Sequence, residues 1–330
     1  MLRITLTCLL ICCAIPAFAR CEGASLLDTM SADQTAELAA SVEATPFQKG
    51  LLWQAQKGDT TIHLVGTMHV YDPRLDPILT RIIPLVTSAD MILLETTKTA
   101  EAQLQADLAS KPELLFLTEG PTLPDMLPEA AWQTLADQAR ARQIPAFMAA
   151  KFQPWYLALM LGIPPCAMEG MITGQRGLDH MIMDQAEEAG IPTKALEPYD
   201  TLFTLFGNEP MEEQIEMLQA TIAMNREADA LFATLLDLYF KGEHVKAWHF
   251  SRLAARDMPD VSRDDIDAMF TEMEEVLLIR RNLNWMPLIA DAAASHDTVL
   301  IAVGAAHLGG DQGVLNLLAK EGYTLTRLPL

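Results

Sequence analysis

The sequence predicts an α/β protein: one domain on a central mixed, partly parallel sheet, with a large helical insertion. Three observations predict it. Short apolar runs of the fully buried strand kind, at residues 91–94 and 298–303, lie near opposite ends of the folding region. The long stretch between them has mostly helix-like apolar spacing. Strand, helix and strand follow one another between residues 61 and 94, the order of a βαβ unit with parallel strands.

The elements follow in order. Residues 1–19 read as a secretory signal: Arg3 gives a positive start, residues 6–15 are apolar, and Ala17-Phe18-Ala19 has the small-x-small form of a cleavage site. The mature segment 20–49 is polar and acidic, and Ser31 with Gln34 is set to open a short helix by reciprocal capping. Residues 51–56, the turn Lys57-Gly58-Asp59 and residues 61–66 read as a hairpin, the start of a single domain spanning 50–330. A helix over 76–88, dented by Pro84, leads to the strand 91–94. The insertion, about 97–295, predicts helices over 128–142, 146–161 and 177–189, then a short strand at 193–196. Helix then runs almost unbroken from 199 to 294, with breaks near Pro210, Gly242 and Pro259. Strand 298–303, helix 313–320, its stop at Gly322 and a strand over 323–328 complete the chain.

Composition bounds the partners. The 330 residues carry 23 Lys+Arg against 44 Asp+Glu, a formal charge of -21, and half are hydrophobic, so the chain folds. A pI near 4.6 argues against nucleic acid and anionic membrane surfaces, which would repel it, and favours cationic partners, metal ions included. Cleavage after Ala19 removes Arg3 alone among the charges, leaving 22 against 44, or about -22. The expected location is periplasmic or secreted. No transmembrane anchor is expected after cleavage, since no later segment reaches the ~20 apolar residues of a spanning helix. Cys8, Cys12 and Cys13 leave with the signal. Cys21 and Cys166 remain, either as one disulfide tying down the N-terminus or as a buried thiol and a mobile one.

Two places look alike. Residues 61–66 run into Gly66-Thr67-Met68-His69, and residues 298–303 run into Gly304-Ala305-Ala306-His307. Each is a buried strand ending in G-x-x-H, where glycine lets the chain turn sharply and lets a neighbour approach closely. Glu95 directly follows residues 91–94, and Glu197 follows Lys194-Ala195-Leu196. Ligands of open α/β sheets bind outside the carboxyl ends of the strands. If the four strands are parallel neighbours, His69, Glu95, Glu197 and His307 converge on one edge. Two imidazoles and two carboxylates there suit a divalent transition metal, which would acidify bound water and polarise a carbonyl. A carboxylate outside the ligand set would serve as general base. The bland alternative is a set of hydrogen-bonding histidines and helix-capping glutamates. Other histidines read as structural: His63 within its strand, His180 on a helix surface, His244 and His249 five apart and so on different faces, and His296 in a loop. There is no H-E-x-x-H, no G-x-S-x-G and no glycine-rich phosphate loop.

The run His63-Leu64-Val65-Gly66-Thr67-Met68-His69 resembles the first hallmark of the TraB/GumN family, which includes the TIKI-type metalloproteases. Val303-Gly304-Ala305-Ala306-His307-Leu308-Gly309-Gly310, followed by Gly313, Leu317-Leu318 and Gly322-Tyr323, resembles its last. Between them Glu95, Gly177-Leu178-Asp179, Leu196-Glu197 and Arg281-Asn282 with Trp285 match in order. The resemblance covers roughly residues 51–328 and is poor across 97–166 and 210–267. It fits the GumN-like branch best. It implies a fold similar to the erythromycin-esterase and haem-binding ChaN-like group. It also implies a catalytic set of His69, Glu95, Arg281 and His307, with Arg281 binding substrate or stabilising developing negative charge. The metal, manganese or cobalt rather than zinc, is expected on His69, Glu95, His307 and Glu197. Asp179, Gly66, Gly304 and Asn282 are expected to support them. The leading expectation is therefore a metal-dependent hydrolase of the cell envelope, a peptidase acting on a peptide or other small acyl substrate. Two alternatives stay open: a non-catalytic periplasmic protein binding a peptide or haem-like ligand, and a metal-free, esterase-type hydrolase with a histidine base.

Overall fold

The computed structural model describes residues 21, 23–225, 228–256 and 261–330, so the signal reading of residues 1–19 and the break near Pro259 lie outside the described residues. Six strands make one sheet: β1 (Leu52–Lys57), β2 (Thr60–Thr67), β3 (Met91–Leu94), β4 (Thr193–Ala195), β5 (Thr298–Gly304) and β6 (Thr324–Arg327), in the order β4-β3-β5-β2-β1-β6. β4, β3, β5 and β2 are mutually parallel, while β1 runs antiparallel between β2 and β6. This is the mixed α/β sheet the sequence predicts. β3 and β5 read as unbroken apolar runs because helices cover both faces of the parallel part.

The helices are α1 (Ala32–Glu43), α2 (Leu75–Ser88), α3 (Lys98–Ser110), α4 (Leu123–Met126), α5 (Glu129–Ala141), α6 (Ala146–Ala149), α7 (Pro154–Gly162) and α8 (Pro165–Ile172). They continue with α9 (Leu178–Ala189), α10 (Thr201–Phe206), α11 (Met211–Met224), α12 (Ala228–Phe240), α13 (His244–Ala255), α14 (Arg263–Glu274), α15 (Arg280–Ser295) and α16 (Val314–Lys320). α1 opens on the Ser31–Gln34 capping box. α2 tolerates Pro84 because that residue is exposed, so the carbonyl left without an N–H partner faces water. α2 and α9 cover one sheet face with Leu75, Ile82, Val86, Ile182 and Met183. α15 and α16 cover the other with Trp285, Ile289, Leu315 and Leu318. Each such side chain stabilises the fold by about 1.5–3 kcal/mol through burial.

The insertion has its own core, with Leu123, Leu135, Leu157, Leu161 and Leu218 from α4, α5, α7 and α11. The single helix expected over 146–161 is two helices, α6 and α7. Pro154 has no N–H to donate and disfavours helical geometry at Gln153, which is extended (φ -58°, ψ 137°). The freed backbone pairs across: Leu117 N–H donates to Lys151 O at 2.6 Å and Gln153 N–H to Leu115 O at 2.7 Å. Arg142, 1% exposed, ties this region together by donating to the carbonyls of Gln138, Leu161 and Ile163 and to Asn225 Oδ1. Cys21 and Cys166 form a disulfide across 145 residues of chain, joining the N-terminal segment to α8. No single helix among the described residues is long and apolar enough to cross a membrane.

Candidate functional site

All four parallel strands end at the same sheet edge, and each delivers one group there. In sheet order these are Glu197 past β4, Glu95 past β3, His307 past β5 and His69 past β2. A fifth group, Arg281, comes from the first turn of α15. Just before it, Glu275–Ile279 is a π-helical stretch, a feature often found at functional sites, and Arg281 Nη1 donates to Leu277 O at 3.1 Å.

Arg281 occupies the centre. Its Nε and Nη2 donate to the two oxygens of Glu197, both at 2.8 Å, and Nη2 also donates to Glu95 Oε2 at 2.6 Å. Glu95 Oε1 accepts the Gly304 N–H at 2.6 Å. All four carboxylate oxygens are therefore engaged. Burial by itself would raise the Glu95 carboxyl. The imidazoles of His307 and His69, the Arg281 guanidinium and the Gly304 N–H outweigh it and bring Glu95 down to about 2. Burial raises Glu197, against the pull of Arg281.

The tautomer of His307 is determined twice. Asn282 Nδ2 donates to Gln312 O at 2.9 Å, which turns Asn282 Oδ1 toward His307 Nδ1 at 2.7 Å. A carbonyl-type oxygen only accepts, so Nδ1 carries the proton. Arg281 Nη1, which only donates, lies 3.3 Å from His307 Nε2, so Nε2 offers its lone pair. The ring packs on fully buried Trp285, with centroids 4.4 Å apart. Burial, with the Arg281 and His69 charges adding and the Glu95 charge opposing, lowers the His307 pKa to about 4. Arg281 and Asn282, four and three residues before Trp285, flank it on α15 so that all three reach one imidazole, which explains the R-N-x-x-W spacing.

His69 is held in the opposite state. Its Nδ1 lies 3.1 Å from Asp179 Oδ2. Packing opposes a charge on the ring, but the Asp179 hydrogen bond and the charges of Asp179 and Glu95 raise its pKa to about 9. Solvent on its outer edge also favours the cation, since 63% of the side chain is exposed. Gly177 makes this contact possible: a Cβ there would stand 1.9 Å from Met68 O. With no Cβ, Gly177 and Leu178 donate backbone N–H groups to His69 O and Met68 O, and Asp179 comes up beside the ring. Gly66 is constrained less severely, since a Cβ would meet the movable Leu308 Cδ1 at 2.7 Å and the Ala305 backbone at 3.2 Å.

A continuation of this network was missed at the sequence level. His180, expected on a helix surface, is partly buried: its Nδ1 lies 2.9 Å from Asp179 Oδ2 and its Nε2 2.5 Å from Glu101 Oε1. Its place next to Asp179 was the only available signal. His63 is buried in β2, and His244 and His249 lie on α13, outside the site.

As a metal site the residues fit only in part. A Cβ built on Gly304 would be 3.3 Å from Glu95 Oε1, 3.6 Å from His307 Cδ2 and 4.0 Å from His69 Nε2, so three of the expected ligands surround one point. With Arg281 in place, however, the carboxylates and the His307 lone pair are already engaged. Among the described residues, no group of three or more His, Cys, Asp or Glu side chains is arranged to hold an ion. The donor types fit a divalent metal, but this arrangement of them does not.

Residues 51–327 match the model of the TraB/PrgY/gumN family. No curated protein and no solved structure matches the chain significantly.

Proposed function

The chain belongs to the TraB/PrgY/gumN family, and on that premise we propose that it is a hydrolase of peptide or related acyl bonds, driven by its two histidines in opposite protonation states. The observation that carries the proposal is the doubly determined His307 tautomer, a neutral Nε2 lone pair beside a guanidinium. Two titratable groups pushed apart by their surroundings divide naturally into base and acid. As Arg281 Nη1 turns from His307 Nε2 to the carbonyl oxygen of a bound substrate, Nε2 is freed to take the proton of an attacking water while Asn282 holds the opposite nitrogen. Arg281 steadies the negative charge that develops on the carbonyl oxygen. His69, protonated at neutral pH, gives its Nε2 proton to the leaving group. Glu95 and Asp179 keep that cation in place. The Cys21–Cys166 disulfide supports the expectation of export to an oxidising compartment.

A second reading has manganese or cobalt held by His69, Glu95 and His307, favoured by their convergence above Gly304. It requires Arg281 to release Glu95 and His69 to lose its proton. A metal there would supply an acidified water and a Lewis acid.

Digestion of a peptide library and of simple esters by exhaustively chelated protein tests the proposal. Turnover that survives chelation and disappears in His307→Gln supports it. Turnover only with added manganese or cobalt moves the conclusion to the metal reading. Tight peptide or haem binding without cleavage makes this a binding protein.

A further inference from the structure

His69 is the strand-end group with an open flank: 63% of its side chain is exposed, against 14% or less for Glu95, Glu197 and His307. A ring so exposed turns about its side-chain bonds unless something holds it. Asp179 holds it, with Oδ2 3.1 Å from His69 Nδ1. The other ring nitrogen, Nε2, stands over the site, 4.0 Å from the position of a Cβ on Gly304. The aim of Nε2 therefore depends on where the Asp179 carboxylate sits.

Asp179 is poorly tethered by itself. It lies in the first turn of α9, where an aspartate can instead fold back onto the free N–H groups of its own helix. Its Oδ1 is buried without a hydrogen-bond partner, so the carboxylate is held through Oδ2. His180 supplies the second hold. Its Nδ1 is in close ion contact with the same Oδ2, at 2.9 Å, and its Nε2 lies 2.5 Å from Glu101 Oε1. A lone pair at either nitrogen would face a carboxylate oxygen, so both carry protons and the ring is a cation. Glu101 is fixed in turn by His180 and by Arg176 Nη1, 3.3 Å from Oε2. Charge thus alternates without a break from Arg176 through Glu101, His180 and Asp179 to His69. Glu101 belongs to α3, which starts three residues past Glu95, so these contacts leave the site along α3 and return to it along α9.

We propose that His180, held by Glu101, is a positioning residue: it keeps the Asp179 carboxylate turned to His69, so that His69 Nε2 points at the leaving group. The inference rests on the hydrolase reading, in which the carbon–nitrogen bond breaks with its electron pair on nitrogen and that nitrogen takes the Nε2 proton. The test compares His180→Ala, Glu101→Ala and Glu101→Gln with Lys98→Ala, each in the whole protein. Lys98 joins the same two helices through Asp184, at 2.6 Å, and Glu187, so its loss shows what merely bracing α3 against α9 contributes.

The first readout needs no turnover. It is the His69 Nδ1 proton in the low-field region of the NMR spectrum, identified by its loss in His69→Gln. A proton held in a hydrogen bond exchanges slowly with water. The resonance is expected in wild type and in Lys98→Ala, and lost in His180→Ala and Glu101→Ala. It should return in Glu101→Gln, whose amide oxygen still accepts from His180 Nε2. Absence from wild type, persistence in a folded His180→Ala, or equal loss in Lys98→Ala overturns the proposal. If His180→Ala does not fold, the two Glu101 variants decide, and identical spectra from them overturn it. The second readout is the substrate. For an unactivated peptide, kcat should fall about ten-fold or more in His180→Ala and Glu101→Ala, with KM within about two-fold. A nitrophenyl ester, whose leaving group departs as an anion without a proton, should keep its rate within about two-fold. Equal losses on both substrates mark a structural role and overturn the proposal. No turnover by wild type fails the hydrolase reading, and the NMR readout then decides by itself whether His180 holds His69.

Discussion

Replacing Arg281 by methionine tests the centre of the site. The guanidinium is 13% exposed and each of its two carboxylate partners 14%, so water screens them little. The thioether side chain would keep most of the volume and leave Glu95 and Glu197 facing each other without their cation. Removing one partner of a buried ion pair costs about 3–5 kcal/mol. At about 2–4 °C per kcal/mol for a large domain, the melting temperature at pH 7 should fall by about 6–20 °C. The sign of the pH dependence follows from Glu95. Its folded pKa is depressed from 4.5 to about 2, so its contribution is present above 4.5 and lost as pH falls through 2. The gap between wild type and Arg281→Met should therefore be full at pH 7 and narrow toward pH 3. Thermal unfolding followed by near-ultraviolet circular dichroism measures both. A loss below about 1 kcal/mol at pH 7, the size of a surface pair, would refute the central role given to Arg281. Manganese that raises the melting temperature of the variant but not of wild type would show that the vacated carboxylates accept a metal.

Four further outcomes are expected. The pH profile of kcat/KM should be a bell, rising through about 4 as His307 becomes a free base and falling through about 9 as His69 loses its proton; a flat profile over that span contradicts the assignment. Gly177→Ala should lose more than about 2 kcal/mol in urea unfolding because its Cβ meets Met68 O, whereas Gly162→Ala, with open space around it, should be neutral or slightly stabilising. Arg142→Leu removes the side-chain donor from the half-buried Gln138 and Ile163 carbonyls, at about 1–3 kcal/mol for each lost bond, while Leu161 O keeps Asn225 Nδ2, and limited proteolysis should then cut within the insertion first. Cys166→Ser should lower stability by about 2–4 kcal/mol in denaturant titration, as expected for a bridge closing a long loop.

Strand-end position was the legible part of the site. Residues 91–94 and 298–303 announce buried strands by composition, and once they are taken as parallel neighbours of residues 61–66 their carboxyl ends face together, a sheet order that only the structure supplies. Glu95, His307 and His69 follow directly from that. Arg281 was legible only through the resemblance, because a helix-borne arginine looks like any surface cation until its partners are known. Its occupation of the centre was not legible, since spacing says nothing about which of two carboxylates a guanidinium will take. His180 was missed for a similar reason: its partner Glu101 lies 79 residues away on α3, and only the docking of α3 against α9 brings them together. The helix expected over 146–161 failed locally, because apolar spacing outweighed Pro154 in a stretch where tertiary pairing with residues 115–117 was available to the freed backbone.

The central pairing of β2 with β5 has a consequence for how the molecule is made. Thr61 lies opposite Thr298, so the sheet edge that carries His69 and His307 closes only after the more than two hundred residues between these strands exist. Closing a loop of that length carries a large entropy cost, and contacts so distant in sequence form late and slowly. The insertion between them, with its own core, can acquire structure earlier and hold the two ends near each other. During synthesis the chain therefore has no assembled site until β5 and His307 emerge. Chain shortened before β5 would keep Glu95, Glu197 and Arg281 but never bring His307 beside them. The site is therefore silent in any chain that stops short of β5.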